Sequence, residues 1–145
     1  MGNRILVAED EPNIVESLTF LLERAGFEVS CEMNGLQALT VALANPPDVM
    51  ILDVMLPGMD GLEVLRRLRA DERAQSLPVL ILTAKGQRED RERALASGAN
   101  MFITKPFSNS VVIAAVSALA KGELTHGEGA DGEGAQDEGA RGDAK

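Results

Sequence analysis

Four apolar runs in this sequence each end in a polar side chain that could do chemistry. Glu9 and Asp10 follow Ile5–Ala8, Asp53 follows Val49–Leu52, Thr83 follows Val79–Leu82, and Lys105 follows Met101–Thr104. Three carboxylates brought together would repel and raise one another's pKa. A hard divalent cation removes that conflict, and an all-oxygen ligand set favours Mg2+ (or Mn2+) over zinc. Magnesium keeps several of its waters, so one or two carboxylates and a carbonyl would suffice. Lys105 adds a positive charge opposite the metal, and Thr83 adds a hydroxyl donor. The set is a cradle for an anion with several oxygens. Asp53 is the natural nucleophile within it, and attack on a phosphoryl group would be helped by neutralisation and positioning. Ala84 is small and leaves room for that group. Each residue alone has a plainer reading: a helix-capping acid, a loop acid, a strand threonine, a solvated lysine. Occupation of all four strand ends at once argues against the plain readings.

These residues lie up to 96 positions apart, so a fold must gather them. Ile5–Ala8 reads as a buried strand. Pro12 opens a helix whose apolar residues repeat at helical spacing, and Gly26 stops it. Phe27, Val29 and Cys31 alternate as a second strand, with Cys31 expected to be a small buried side chain. Gly35 to Ala44 is a short helix, and Val49–Leu52 a third strand. Asp60 and Glu63 form a capping-box pattern opening the next helix. Leu62, Leu65 and Leu68 should face its core, with Arg66, Arg67 and Arg69 outside. Val79–Leu82, a polar helix from about Arg88 to Ser97 stopped by Gly98, strand Met101–Thr104, and a helix from a Ser108 cap to about Lys121 complete the pattern. Continuous apolar strands alternating with helices predict an α/β, doubly wound five-stranded parallel sheet covered on both faces. Ligands of such sheets bind at the carboxyl ends of the strands, where the polar residues fall.

Composition narrows the function further. The 145 residues carry a net charge of −9 and one cysteine, Cys31. That excludes an intramolecular disulfide and a Cys-based zinc site. No basic face offers itself to nucleic acid, so direct nucleic-acid binding is not expected. No signal peptide or membrane span is legible, which predicts a cytoplasmic location by default. Residues 1–121 hold 16 acidic and 12 basic side chains, whereas 122–145 hold 7 and 2. The latter segment is a degenerate Gly/Glu/Ala repeat, expected to be a disordered acidic tail, and the lone His126 within it a solvated bystander.

With these motifs in view, residues 3–121 resemble bacterial response-regulator receiver domains. ILVAEDE carries the acidic pair Glu9 and Asp10, ILDVMLPGMDG carries Asp53, LTAKG carries Thr83, and GANMFITKPFS carries Phe102, Lys105 and Pro106. The resemblance implies a flavodoxin-like fold with strand order 2-1-3-4-5. It implies a phosphoprotein of a two-component or phosphorelay system, forming an aspartyl phosphate on Asp53. The donor would be a sensor histidine kinase or phosphotransfer protein, and the output a downstream protein effector. Mg2+ would be held by Asp10, Asp53 and the backbone carbonyl of Met55, with Glu9 acting through water. Lys105 would pair with the phosphoryl group, and its bond to Pro106 would be cis. Thr83 and Phe102 would be the switch pair, moving the face made by the fourth helix, fifth strand and fifth helix. The domain would be no turnover enzyme: its chemistry would be Mg-dependent self-phosphorylation and autodephosphorylation.

The nearest subtype is the receiver of winged-helix transcription regulators, which admits a phosphorylation-dependent dimer. The sequence departs from it in two places. Asn100 and Met101 stand where that subtype has an acidic pair, and Val111–Ala120 has none of the usual basic residues. That helix offers either an apolar docking face or fuller burial. The expected form is a stand-alone receiver, with a fragment of a larger regulator as the alternative. A phosphatase of the haloacid-dehalogenase type resembles it in using an Asp nucleophile, but Met55 stands where that class needs a second Asp. No G-x-G-x-x-G follows the first strand, against a dinucleotide enzyme. A phosphorylation-independent pseudo-receiver is disfavoured because every site residue is present.

Overall fold

The computed structural model describes residues 3–84 and 88–122, and the backbone of 132–133 and 135–136. Its strands are β1 (Arg4–Ala8), β2 (Glu28–Glu32), β3 (Val49–Asp53), β4 (Val79–Thr83) and β5 (Met101–Thr104). Its helices are α1 (Pro12–Arg24), α2 (Gly35–Ala44), α3 (Gly61–Ala70), α4 (Arg88–Ala96) and α5 (Asn109–Ala120). The strands form one parallel sheet in the order β2-β1-β3-β4-β5. Asp53 is the last residue of β3 rather than the residue beyond it, and Thr83 ends β4 as expected. Pairs Gly132–Glu133 and Ala135–Gln136 (β6 and β7) form a separate parallel bridge. Otherwise the acidic segment, with His126, lies outside the described residues.

The sheet separates two apolar layers because its central strands are buried on both sides. Leu6, Met50, Leu52 and Ile81 face α2, α3 and α4 through Leu39, Val64, Leu65, Leu68 and Ala94. Ile5, Val7, Ile51, Leu80 and Leu82 face α1 and α5 through Leu18, Leu22, Val112, Val116 and Leu119. Helix α5 is thus buried along one side only, and Val111 stays 46% exposed. Pro12 opens α1, and Gly26, at φ +99°, follows its end. Only glycine adopts such a backbone without penalty. The Asn34 side chain caps α2 by accepting from Leu36 and Gln37, and Ser108 caps α5 by accepting from Val111.

Three sequence expectations need correction. The box at α3 is half realised: Asp60 Oδ1 accepts from the Glu63 N–H at 3.0 Å, but Glu63 gives its carboxylate to Arg66 and Arg67. Those two arginines are one turn along the helix and closer to hand than the cap N–H. Cys31 is half-buried, its Sγ 3.4 Å from Thr19 Oγ1, because β2 is an edge strand. Arg69 does not point outward. Its guanidinium donates to Gly98 O at 2.9 Å, Ala74 O at 3.1 Å and Asn100 Oδ1 at 3.0 Å, and burial lowers its pKa. Asn100 Oδ1 also accepts from the Val79 N–H at 2.9 Å, so the carboxamide has two donors to serve.

Arg69 therefore staples the end of α3 to the α4–β5 turn. Arg69→Ala removes three hydrogen bonds and leaves the Gly98 carbonyl without its donor, and should lower stability by roughly 2 kcal/mol, read as a lower urea midpoint at constant slope. Arg69→Lys should rescue little, because one ammonium cannot span the three acceptors. Arg66→Ala, on the exposed side of the same helix, should cost less than about 0.5 kcal/mol.

Candidate functional site

All the strand-end residues singled out in the sequence meet at the carboxyl edge of the sheet. Glu9 leaves β1 with its N–H bonded to Glu32 O at 3.1 Å. Its side chain is fully buried: Oε2 accepts the Glu11 N–H at 3.0 Å, and Oε1 lies 3.2 Å from Lys105 Nζ. Oε1 makes no well-aligned hydrogen bond, so that contact is charge with charge. Asp53 is 4% exposed and places Oδ2 3.3 Å from the same Nζ. Asp10 is more open. One oxygen from each of Glu9, Asp10 and Asp53 falls within 4.8 Å of the others.

The backbone fixes this geometry. After Asp53, the Val54 N–H bonds Leu82 O at 3.2 Å, and the Gly61 N–H bonds Val54 O at 2.7 Å. The loop thus folds back beneath Asp53, and a Cβ on Gly61 would collide with the Asp53 carbonyl oxygen. On the other side the Lys105 N–H bonds Thr83 O at 2.7 Å, and Thr83 pairs with Thr104 in register. The Thr83 hydroxyl is buried with no hydrogen-bond partner among the described residues. A buried unpartnered hydroxyl costs stability, and a site awaiting an acceptor gives it a reason. Phe102 is half-buried beside Ile81, and the Lys105–Pro106 peptide is cis. Met55 is 69% exposed at the lip.

A cleft of about 600 Å3 opens beside Asp10, between the loop at Met55–Pro57 and Asp90 and Arg93 of α4. Sequence reading missed Asp90 and Arg93. In a helix with six charged residues in nine, nothing distinguishes an acid facing a cleft from one facing solvent.

Burial dominates the electrostatics. It pushes the Asp53 carboxyl above its ordinary range, Lys105 pulls it back only in part, and Asp10 adds to the rise. Burial and then the Asp53 charge push Glu9 up as well. Burial works against the Lys105 ammonium, but Asp53 and Glu9 outweigh it and hold its pKa above the usual value. One ammonium, paired with two of the acids, serves a group of three carboxylates, a deficit that a divalent cation would correct. The donors are all oxygen, which suits Mg2+.

A carboxylate whose pKa is raised by folding contributes stability below its unfolded pKa and loses it as pH rises through the folded value. For Glu9 and Asp53 that loss begins above the ordinary values of 4.5 and 3.8. Metal-free protein should therefore lose Tm from these two groups as pH rises through that window, and Mg2+ should raise Tm more at pH ~7.5 than at pH ~5. Asp53→Asn removes one buried charge and should raise the metal-free Tm at neutral pH by a few degrees while shrinking the Mg2+ effect. Thermal melts at two pH values, with and without Mg2+, check both.

The comparisons with known proteins agree with this geometry. The model of the response regulator receiver domain matches residues 5–117. The DNA-binding dual master transcriptional regulator RpaA of Synechocystis sp. is 42% identical over 118 residues, which are 81% of this chain and 49% of that protein. The phosphate regulon regulator PhoB of Pseudomonas aeruginosa is 40% identical over 121 residues, 83% of this chain and 53% of that one. The chain thus spans about half the length of the curated relatives it matches. Among solved structures, the receiver domain of the sensor histidine kinase PA1611 from Pseudomonas aeruginosa PAO1, with magnesium coordinated in its active-site cleft, superposes with a TM-score of 0.77 at 30% identity. That likeness covers 83% of this chain and 99% of the other. The strand order, the acidic edge of the sheet and these relatives agree: the chain belongs to the receiver domains of two-component response regulators, and its relatives place it with the receivers of winged-helix regulators.

Proposed function

We propose that this domain is a phosphoacceptor switch whose acceptor is Asp53. The observation that carries the reading is the position of Asp53: it is buried, within 3.3 Å of Lys105 Nζ on one side and grouped with Glu9 and Asp10 on the other. A carboxylate oxygen of Asp53 attacks phosphorus, the bond from phosphorus to the donor breaks, and the donor leaves with that electron pair. With a phosphohistidine donor the leaving group is imidazole, and the product is an aspartyl phosphate. Lys105 offers its charge to the phosphoryl oxygens, and the Thr83 hydroxyl becomes their donor. Asp10, Asp53 and the Met55 carbonyl would hold Mg2+, with Glu9 close by. The ion supplies charge neutralisation to the transferring group.

The donor in this reading is a sensor histidine kinase or phosphotransfer protein, in the cytoplasm, and the output is an altered protein contact. No described helix is long and apolar enough to cross a membrane. Self-phosphorylation and autodephosphorylation are the only covalent steps proposed. A second reading takes this chain as the receiver portion of a longer transcription regulator. It is favoured by the curated relatives, about twice the length of the matched segment.

Incubation with acetyl phosphate and Mg2+, followed by intact-mass measurement, should give one phosphate adduct on the wild type. The adduct should be absent without Mg2+ and absent in Asp53→Ala. Lys105→Ala should slow its formation by roughly 100-fold or more, the scale of losing one preorganised charge at a phosphoryl site. An unmodified wild type with every phosphodonor tried would make this a pseudo-receiver.

A further inference from the structure

Helix α4 is held more thinly than its neighbours. Six of its nine residues are charged, and Ala94 is its one buried side chain. Two of its three arginines are exposed and spent on carboxylates of the same helix, Arg88 on Glu92 and Arg93 on Asp90. Arg91 differs: it is half-buried, forms no ion pair among the described residues, and sets its guanidinium 5.3 Å from the centre of the Phe102 ring. Phe102 packs partly against the α2–α3–α4 core layer, and its strand neighbour is Ile81, two residues before Thr83. The contact therefore joins α4 to the part of the sheet nearest the Thr83 hydroxyl.

We propose that Arg91 is a latch on the switch: its cation–π contact with Phe102 holds the ring and α4 in the arrangement described here, and sets how readily Asp53 phosphorylation displaces them. The proposal rests on the phosphoacceptor reading above. In the proposed switch the ring turns inward toward Thr83 and gives up the guanidinium, so the contact belongs to one side of the equilibrium. A contact made in only one of two states shifts their populations by its own free energy. For a cation–π pair at a partly exposed site that is about a two- to five-fold change. Arg91 touches no reacting group and acts through Phe102, so it is a positioning residue.

The test uses the full chain as wild type, Arg91→Ala, Arg91→Lys, Phe102→Leu and the Arg91→Ala/Phe102→Leu double variant. Amide hydrogen exchange across 88–96 and the initial rate of phosphorylation by acetyl phosphate with Mg2+ are measured for each. Arg91→Ala should speed both by about two- to five-fold, and Arg91→Lys, which keeps a cation, should recover most of the difference. In the Phe102→Leu background the Arg91 substitution should change neither quantity. Equal effects of Arg91→Ala with and without the ring would overturn the latch and leave a simple charge or helix effect. So would unchanged exchange in Arg91→Ala. A wild type that accepts no phosphoryl group overturns the functional reading and the regulatory claim together. The exchange data would still decide whether the contact anchors α4.

Discussion

Everything at the carboxyl edge of this sheet depends on one ammonium group placed between two buried carboxylates. Lys105 Nζ lies 3.2 Å from Glu9 Oε1 and 3.3 Å from Asp53 Oδ2. Burial pushes both acids toward the protonated form, and the ammonium between them opposes that push. Removing the ammonium would leave two buried carboxylates uncompensated, which costs more than the pairs contribute, whereas removing one carboxylate leaves the ammonium still paired with the other. The arrangement is an incomplete neutralisation, with Asp10 outside it. A site left acidic in this way gains from a cation and from little else. The same ammonium that stabilises the resting carboxylate is already where phosphoryl oxygens would need it, so little reorganisation is required at the moment of reaction.

The strands make that possible by contributing geometry rather than chemistry. A parallel sheet points all its carboxyl ends one way, so β1, β3, β4 and β5 deliver Glu9, Asp53, Thr83 and Lys105 to one edge. Two backbone bonds lock the central members together: Val54 N–H to Leu82 O, and Lys105 N–H to Thr83 O. These bonds lie just past the strand ends and tie the site to the sheet beneath it. The polar cluster is costly, and the apolar layers on the two faces of the sheet offset that cost.

Much of this was legible in the residues. Apolar runs such as Val49–Leu52 and Val79–Leu82, each ending in a polar type, specify both the strands and the site. Pro12, Gly26 and Gly98 mark helix ends that the backbone then adopts. What was not legible shares one physical cause: long charged side chains have two options, and a sequence does not say which is taken. Arg69 sits in a run with Arg66 and Arg67, yet it alone reaches the α4–β5 turn. Glu63 was expected to reach back to a cap and instead faces two arginines. Asp90 and Arg93 lie in a helix read only as polar and prove to line the cleft. Cys31 read as buried because alternation does not reveal that β2 lies at the sheet's edge.

The Arg69 staple has a mechanical consequence. It grips Gly98 and Asn100, immediately beyond the C-terminal end of α4, through bonds of 2.9 and 3.0 Å. The opposite end of α4 begins at Arg88, after the strand that ends in Thr83. A helix clamped at one end cannot slide along its groove. A swing about that clamp would have a lever of about 13 Å, the length of nine helical residues. A sub-ångström change near the clamp would be magnified toward the Arg88 end, past Asp90 and Arg93 at the cleft, and motion at that end would be reduced toward the clamp. The pivot of such a swing is therefore set at the α4–β5 turn, away from the carboxylates that it would serve.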